Sequence, residues 1–181
     1  MADITAPVRT SRPSSPADAK AVPREPIWDL IELIFFAYRD FVSEPDHVLE
    51  PLRFGRAHHR VLHFVNRNPG MKVAELLDIL KITKQSLGRV LKQLIDQGYV
   101  EQKEGQSDRR QRLLYPTPKG ESLAMRLAGL QTTRIAGALA DLGPGAHEAA
   151  CRFLAAMIDP EEREGVQALI DRANRTRRSR T

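Results

Sequence analysis

The chain has 181 residues, with 28 Lys/Arg, 23 Asp/Glu and a formal net charge of +5, which suits one sizeable domain with extensions and excludes a fibrous or wholly disordered protein. The N-terminus has no apolar core after its charges, and no run of about 18 apolar residues occurs, so neither a secretory signal nor a membrane span is supported. The single cysteine, Cys151, rules out an internal disulfide and favours a reducing, cytoplasmic location.

The basic charge is concentrated in the middle of the chain. Residues 53–120 carry 14 Lys/Arg against 6 Asp/Glu, a net of +8, whereas the rest of the chain has a net of −3. A basic excess confined to one module is typical of proteins that bind a polyanion such as double-stranded DNA. A solvated surface of the same composition is the alternative.

The sequence of the first 50 residues predicts a flexible arm followed by a strongly apolar helix. Residues 1–26 contain five of the twelve prolines and no hydrophobic periodicity, which predicts a disordered N-terminal arm. After Pro26, the segment IWDLIELIFFAYRDFV predicts a helix to about Val42 that is apolar nearly all round. One side of it can pack on its own domain, and we expect the other to meet a second subunit, a fully internal core helix being the alternative. Residues 27–50 are therefore interpreted as a dimerisation helix and a turn-rich connection.

The next segment predicts a helix-turn-helix. A helix ending near Asn66 precedes an NPG turn, a short helix in MKVAELLDILK and a three-residue break, Lys81 to Thr83. The segment ITKQSLGRVLKQLIDQG then predicts a second helix, with Thr83 as its N-cap and Gly98 as its stop.

One face of this second helix is apolar, and the other is rich in cations and amides. Such a row of donors suits phosphates and base edges and predicts a DNA recognition helix. The residues expected on this exposed, DNA-facing side are Lys84, Gln85, Ser86, Arg89, Lys92 and Gln93.

A hairpin is predicted directly after the recognition helix. Its strands are Tyr99–Lys103 and Gln111–Tyr115, and a hairpin in this position is typical of a wing. We expect the charged residues of its tip to lie at the neighbouring minor groove, with Asp108 orienting Arg110, although a solvated turn has the same composition. These residues are Asp108, Arg109, Arg110 and Arg112.

The C-terminal third is predicted to be helical. A long helix from Thr117 to Leu142 is broken by GPG, and an alanine-rich helix follows whose small residues suit a dimer seam. The last stretch is predicted to be helical to about Arg172 and then frayed. The arginines of this tail are expected to be solvated, a contact with phosphates being the alternative. The resulting domains are a winged helix-turn-helix DNA-binding domain at 51–120, dimerisation helices at 121–173 and a basic tail at 174–181.

Two further groups of residues could have a function, a histidine cluster and the single cysteine. His58, His59 and His63 share one helix, and the last two are four apart on one face, so metal binding, the lining of an effector pocket and ordinary packing are all open. We predict no metal and no cofactor. The thiol of Cys151 is expected to be buried and inert, redox sensing being the alternative. No phosphate loop, metalloprotease motif or nucleophile elbow is present, which predicts that the protein is not an enzyme.

The stretch ITKQSLGRVLKQLIDQGYV, followed by SDRRQRLLYPTPKG, resembles the MarR family of bacterial winged-helix regulators. The similarity lies in the helix, the Asp-Arg-Arg wing tip and the Thr-x-x-Gly opening of the next helix. It covers about residues 27–159, and FGRAHHRVLHFVNRNPG is similar to a PetP-type branch.

The resemblance implies a mainly α fold with a small β wing, flanked by N- and C-terminal dimerisation helices. It also implies an obligate homodimer that binds a pseudo-palindromic operator and usually represses transcription until a small molecule or an oxidant alters it. The family's DNA-facing positions fall here on the recognition-helix residues 83–86 and 89, with the wing contact on Arg109 or Arg110. A winged-helix protein-interaction module and a transcriptional activator are the alternatives.

The chain departs from the family pattern at two positions. Gly88 stands where the family commonly has Ser or Thr, which indicates either a close approach of DNA or another helix, or a missing polar contact. Pro116 stands where an aliphatic residue is usual, and it is expected to end the second strand while leaving Thr117 as a helix N-cap.

Overall fold

A computed structural model of the chain describes residues 25–105, 108 and 111–178, apart from the side chain of Arg177. The predicted disordered arm lies almost wholly outside the described residues. The chain divides between Phe36 and Ala37 into two units. Among the helices of the described ranges, none is both long and apolar enough to cross a membrane.

The structure is mainly α-helical with one small antiparallel sheet, which confirms the predicted fold class. The elements in chain order are α1 (Trp28–Leu49), a 3₁₀ turn (Glu50–Leu52), α2 (Arg56–Arg67), β1 (Met71–Lys72), α3 (Val73–Leu80), α4 (Lys84–Asp96), β2 (Val100–Glu104), β3 (Arg112–Pro116), α5 (Pro118–Leu142), α6 (Ala146–Met157) and α7 (Arg163–Arg178). The helices α3 and α4 form the helix-turn-helix, and β2 and β3 form the wing.

The hydrophobic core of the second unit holds the recognition helix α4 in place. Leu62 of α2, Leu76 of α3 and Leu94 of α4 are fully buried, together with Leu114 of β3 and Leu127 of α5. Each fully buried leucine contributes about 1.5–3 kcal/mol relative to an exposed one. The cluster therefore fixes α4 on α2, the sheet and the start of α5.

The first helix is longer than predicted. The sequence predicts a helix end near Val42 and a turn-rich connection, but α1 continues to Leu49 with Pro45 inside it. A proline removes one helical hydrogen bond, which usually ends a helix. Here Val42, Pro45 and Leu49 are all buried at helical spacing, and this burial offsets the lost hydrogen bond.

The strand β1 is a part of the fold that the sequence does not predict. Met71 and Lys72 were interpreted as the start of a helix, but they pair antiparallel with β3, Met71 opposite Leu114. Gly70 leads into the strand with φ of 86°, and its N–H donates to the carbonyl of Leu114 at 2.8 Å. Two residues are too few to show an alternating pattern, so the prediction of a helix was wrong there.

The wing strands begin one residue later than predicted, at Val100 and Arg112. For β2 the reason is that the N–H of Tyr99 donates to the carbonyl of Leu94 at 2.8 Å and so belongs to the end of α4. Gly98, with φ of 73°, makes this helix end possible and confirms the predicted stop. For β3 the reason is that the N–H of Gln111 donates to the carbonyl of Asp108 at 3.0 Å within the wing tip. Both strands also end one residue later than predicted, at Glu104 and Pro116, so Pro116 ends the second strand as its last residue.

The start of α5 is locked against the start of the wing. The N–H of Gly120 donates to Thr117 Oγ1 at 3.0 Å, which confirms Thr117 as the N-cap. The N–H of Thr117 donates in turn to the carbonyl of Tyr99 at 3.1 Å. A Cβ at Gly120 would overlap that carbonyl oxygen. Only glycine therefore lets α5 approach the chain so closely.

The C-terminal helices correct one predicted boundary. The break at Gly143 to Gly145 lies where it was predicted, and both glycines have φ of 80°. The last helix, however, does not fray after Arg172 but continues to Arg178. It is held there because Ala173 is only 3% exposed and because Arg67 Nη2 donates to Asn174 Oδ1 at 2.7 Å. The predicted frayed tail is thus helical as far as Arg178.

Replacing Gly120 by alanine is expected to lower the free energy of unfolding by about 2–3 kcal/mol, because α5 must move away from Tyr99. Gly129→Ala in the same helix is the matched control, since no described residue beyond the adjacent backbone of α5 lies within 4 Å of the added methyl group. The control should be neutral or up to about 1 kcal/mol more stable than the parent protein. Urea unfolding followed by circular dichroism measures both, and equal unfolding free energies for the two variants would contradict the close approach.

Candidate nucleic-acid interface

The recognition helix α4 has the two faces that the sequence predicts. Leu87, Val90 and Leu91 are buried on one side. The N-cap is formed by Thr83, whose Oγ1 accepts from the N–H of Ser86 at 3.2 Å and donates to Ser86 Oγ at 2.9 Å. The side chains on the opposite face are exposed in the described chain: Lys84, Gln85, Arg89 and Lys92.

The charges on this face are not equivalent. Lys92 Nζ lies 2.7 Å from Asp96 Oδ2, so its charge is partly compensated within the helix. Lys84 and Arg89 have no ion pair with any residue that the structure describes. The uncompensated positive charge of α4 is therefore in its N-terminal half, where the predicted base-reading residues also lie.

Gly88 opens a gap in the middle of the recognition face. Nothing in the described chain lies within 4 Å of where its Cβ would stand. Close packing of another helix of the same chain is therefore not the reason for the glycine. A missing polar contact and a close approach of DNA remain as the predicted explanations.

Of the three arginines predicted to contact DNA from the wing, the structure describes only Arg112. Arg112 Nη1 lies 3.0 Å from Glu104 Oε1, its partner across the β2–β3 ladder. Arg109 and Arg110 lie outside the described residues, so the predicted pairing of Asp108 with Arg110 stays a prediction. Arg112 is held along the wing by its ion pair, and its predicted contact with DNA also stays a prediction.

The three histidines of α2 separate into two sites. His58 Nδ1 accepts from the N–H of Gly55 at 3.1 Å, so its Nε2 carries the proton and donates to Gln93 Oε1 at 2.8 Å. Its ring also stacks on Phe54, with 4.7 Å between the centroids. His58 thus caps α2 and contacts the recognition helix, and it does not line the cavity that holds the other two histidines.

His59 and His63 line a cavity of about 180 Å³, which we call the α2 cavity. Its walls combine aromatic rings with cationic side chains, and one of these, Arg60 Nη2, donates to Tyr38 Oη at 3.0 Å. The lining residues are Tyr38, Phe41, Val42, Arg56, His59, Arg60, His63, Phe64 and Gln131. Arg56 and Arg60 are not among the site residues predicted from the sequence. They share a helix face with the two histidines at spacings of three and four, and this periodicity is a signal that could have identified them.

Burial keeps both cavity histidines neutral. It lowers the pKa of His63 to about 4, and the His59 ring and Arg67 act in the same direction. Burial also lowers the pKa of His59, against the opposing charge of Asp46. Among the described residues, no three His, Cys, Asp or Glu side chains are grouped so that they could hold a metal ion. The cavity therefore offers neutral imidazoles and arginine cations.

Cys151 is exposed in the described chain, contrary to the expectation of a buried thiol. It lies on α6, and its Sγ is 3.9 Å from Nε2 of His147, one turn earlier. The alanine-rich surroundings that suggested burial belong to α6, none of whose residues is buried in the described chain. Its predicted role in redox sensing stays a prediction.

Comparison with known proteins identifies the family. Residues 54–111 match the profile of the MarR family. The HTH-type transcriptional regulator PetP of Rhodobacter capsulatus is 46% identical over 141 residues, which cover 78% of this chain and 85% of PetP. The chain belongs to the MarR family. It is accordingly a DNA-binding transcriptional regulator, and the predicted likeness to a PetP-type branch is confirmed.

Solved structures of the MarR family have the same fold. A MarR protein from Peptoclostridium difficile has a TM-score of 0.64 at 20% identity, covering 83% of this chain and 99% of its own. A mutant MarR from E. coli, complexed with operator DNA, has a TM-score of 0.55 at 22% identity, covering 73% and 94%. These likenesses establish the winged helix-turn-helix architecture of the chain.

The burial of His63 makes the stability of the protein dependent on pH. An imidazole titrates near 6.5 in the unfolded chain and near 4 in the folded one, so the unfolded state binds more protons between these values. The free energy of unfolding should fall as the pH falls from about 6.5 to 4, by up to about 3 kcal/mol. His63→Gln is expected to flatten this dependence, measured as the urea midpoint against pH. His47→Gln, which removes an exposed imidazole, should keep the parental slope, and a parental slope in His63→Gln would contradict the assignment.

Proposed function

We propose that the protein is a homodimeric repressor that binds a pseudo-palindromic operator and is released from it by a small molecule. The observation that carries the proposal is the exposed face of α4, whose cations and amides lie over a fully packed apolar side. Such a helix supplies bidentate partners for bases, Gln for adenine and Arg for guanine. The residues proposed to face DNA are Thr83, Lys84, Gln85, Ser86, Arg89 and Lys92, with Asp108, Arg109, Arg110 and Arg112 of the wing.

The exposed apolar side chains support a dimer. In the first unit, Trp28 and Phe35 of α1 are 63% and 69% exposed. In the second unit, Leu142 at the end of α5 and Leu154 of α6 are also exposed. Apolar surfaces of this kind usually mark interfaces. A twofold axis would place two copies of α4 in successive major grooves, about 34 Å apart, which is the reason for expecting a palindrome.

The α2 cavity supports release by a ligand. Its aromatic walls and arginine cations suit a small aromatic acid, because an anion gains charge-assisted hydrogen bonds from arginine while the ring fills the apolar part. The same helix α2 contacts the recognition helix through the His58 to Gln93 hydrogen bond. A ligand that shifts α2 would therefore shift α4.

Release by an oxidant is the second candidate, because the thiol of Cys151 is exposed and lies beside His147. The two triggers are separated by one variant, Cys151→Ser. If an aromatic acid such as benzoate is the signal, the variant should release operator DNA as the parent does. If peroxide is the signal, the variant should lose the response.

Base reading by α4 is tested with the duplex that the protein enriches from random DNA. Gln85→Ala and Arg89→Ala are each expected to reduce the discrimination between this duplex and a scrambled one by about 1–3 kcal/mol. Gln97→Ala and Arg152→Ala remove the same side-chain types outside the proposed face and should leave discrimination unchanged. Fluorescence anisotropy at fixed salt measures all affinities. Equal losses on both duplexes would show that Gln85 and Arg89 contact phosphates only, and enrichment of no sequence at all would favour a protein-interaction module.

The dimer is tested by placing a charge in the exposed apolar face of α1. Phe35→Glu should sediment as a monomer of 20.4 kDa, whereas the parent should sediment at twice that mass. The variant should also bind a full operator no more tightly than a half-site, because each monomer reaches only one groove. Glu32→Gln changes an exposed charge on the same helix and should remain dimeric. A dimeric Phe35→Glu would show that this face is not the interface.

A further inference from the structure

The C-terminal helix α7 lies along α3, the first helix of the helix-turn-helix. At one end, Lys81 Nζ, just after α3, is 3.0 Å from Glu162 Oε1, just before α7. At the other end, Arg172 Nη1 is 3.2 Å from Glu75 Oε1 in the first turn of α3. The two helices are therefore antiparallel. Exposed ion pairs of this kind contribute little energy, about 0–1 kcal/mol each, but they define which end of α7 lies at which end of α3.

The end of α7 that lies at the start of α3 is strongly basic. Residues 172–178 contain four arginines and no acidic residue. Arg172 neutralises Glu75, while Arg175 and Arg178 are exposed and have no ion pair within the described ranges. We call Arg172, Arg175 and Arg178 the C-terminal arginine patch. Arg67, which donates to Asn174, adds a further cation beside it.

The position of the patch determines which polyanion it can meet. In a helix-turn-helix, the second helix enters the major groove and the first helix crosses the DNA backbone. Arg172 and Arg175 line a groove with Glu75 at the N-terminal turn of that first helix, and Arg178 follows about one turn later on α7. Arg172 also removes the repulsion that Glu75 would exert on a phosphate. The patch thus adds exposed positive charge beside the first helix of the helix-turn-helix.

We propose that the C-terminal arginine patch is a second DNA-binding surface, which binds phosphates flanking each half-site and is separate from the recognition helix and the wing. The inference rests on the proposed function, since it requires α4 to enter the major groove. Phosphate contacts add affinity without sequence preference, because every base pair presents the same backbone. The patch therefore lengthens the DNA footprint and leaves the choice of operator to α4.

The test uses the double variant R175Q/R178Q and two duplexes, the enriched operator alone and the same operator extended by about one helical turn, roughly 10 bp, on each side. The parent should bind the extended duplex more tightly and with a steeper dependence of log K on log salt. The double variant should lose most of this difference. Each lost phosphate contact reduces the slope by about 0.9, so two arginines in each of two subunits give a reduction of up to roughly 3.6.

Three controls make the outcome specific. R126Q/R152Q removes two exposed arginines from α5 and α6 and so lowers the net charge equally. Sedimentation shows whether this control keeps the oligomeric state of the parent, and with that state unchanged its extended-duplex advantage should equal that of the parent. R175K/R178K keeps the charges and should restore most of the slope. The ratio of operator to scrambled affinity should be unchanged in R175Q/R178Q, since the patch reads no bases. Circular dichroism melting of each variant confirms that it is folded.

The proposal is overturned if R175Q/R178Q has the slope and the extended-duplex advantage of R126Q/R152Q, in which case an acidic protein surface becomes the better partner. It is also overturned if the short duplex loses as much affinity as the extended one, because the contact then lies inside the operator. If the proposed function itself is wrong, the result is different, because the parent protein would then enrich no sequence from random DNA.

Discussion

The residue on which the arrangement of the DNA-binding unit depends is Tyr99, where three elements meet. Its N–H closes the end of α4, and its carbonyl accepts the N–H of Thr117 at the start of α5. Its ring is buried, packs edge-on against Phe54 and lies 4.2 Å from Lys119 Nζ. The Lys119 ammonium also donates to the carbonyl of Gln97, so it bridges the recognition helix and α5. The angle between these two helices is thereby set within a few residues, and the contact requires a glycine at position 120.

The recognition helix α4 has a second link to the rest of its unit, which is a hydrogen bond to α2. This bond, from His58 to Gln93, lies close to the junction at Tyr99, since Phe54 packs on the rings of both Tyr99 and His58. The ring of His58 also accepts the N–H of Gly55, so a movement of α2 disturbs its own cap and its contact with α4 together. His59, the next residue, lines the α2 cavity. The α2 cavity and α4 are thus contacted by two adjacent residues of α2, His59 and His58.

The sequence predicts most of the fold because its local signals agree with the tertiary packing. Thr83, Gly98 and Thr117 have the side chains or backbone freedom that helix ends require, and all three lie where they were predicted. The errors have a common cause, which is that a tertiary contact overrides a local signal. Pro45 stays helical because it is buried, and the two residues of β1 are extended because β3 pairs with them.

The candidate site is less predictable than the fold for the same reason. The faces of α4 follow from periodicity, so its exposed cations and Gln85 were identified from the sequence. Gln93, which was expected on the same face, is instead half-buried against His58. The three histidines have almost the same local sequence environment, yet His58 contacts Gln93, 35 residues away, while His59 and His63 face the cavity. Only the packing of α2 against α1, α4 and α5 distinguishes them. The docking of α7 is equally long-range, since Arg172 meets Glu75, 97 residues earlier in the chain.

In the proposed complex, the recognition helix supplies the base contacts and other elements supply most of the phosphate contacts. Gly88 leaves the middle of α4 without a side chain, and Lys92 is held by Asp96, so the recognition helix offers few strong contacts beyond its first two turns. A short set of base contacts supplies specificity but limited affinity, because phosphate contacts carry much of the binding free energy of such complexes. The missing affinity must therefore come from cations outside α4. In the proposed complex the wing is one source, and the exposed arginines at the end of α7 are another.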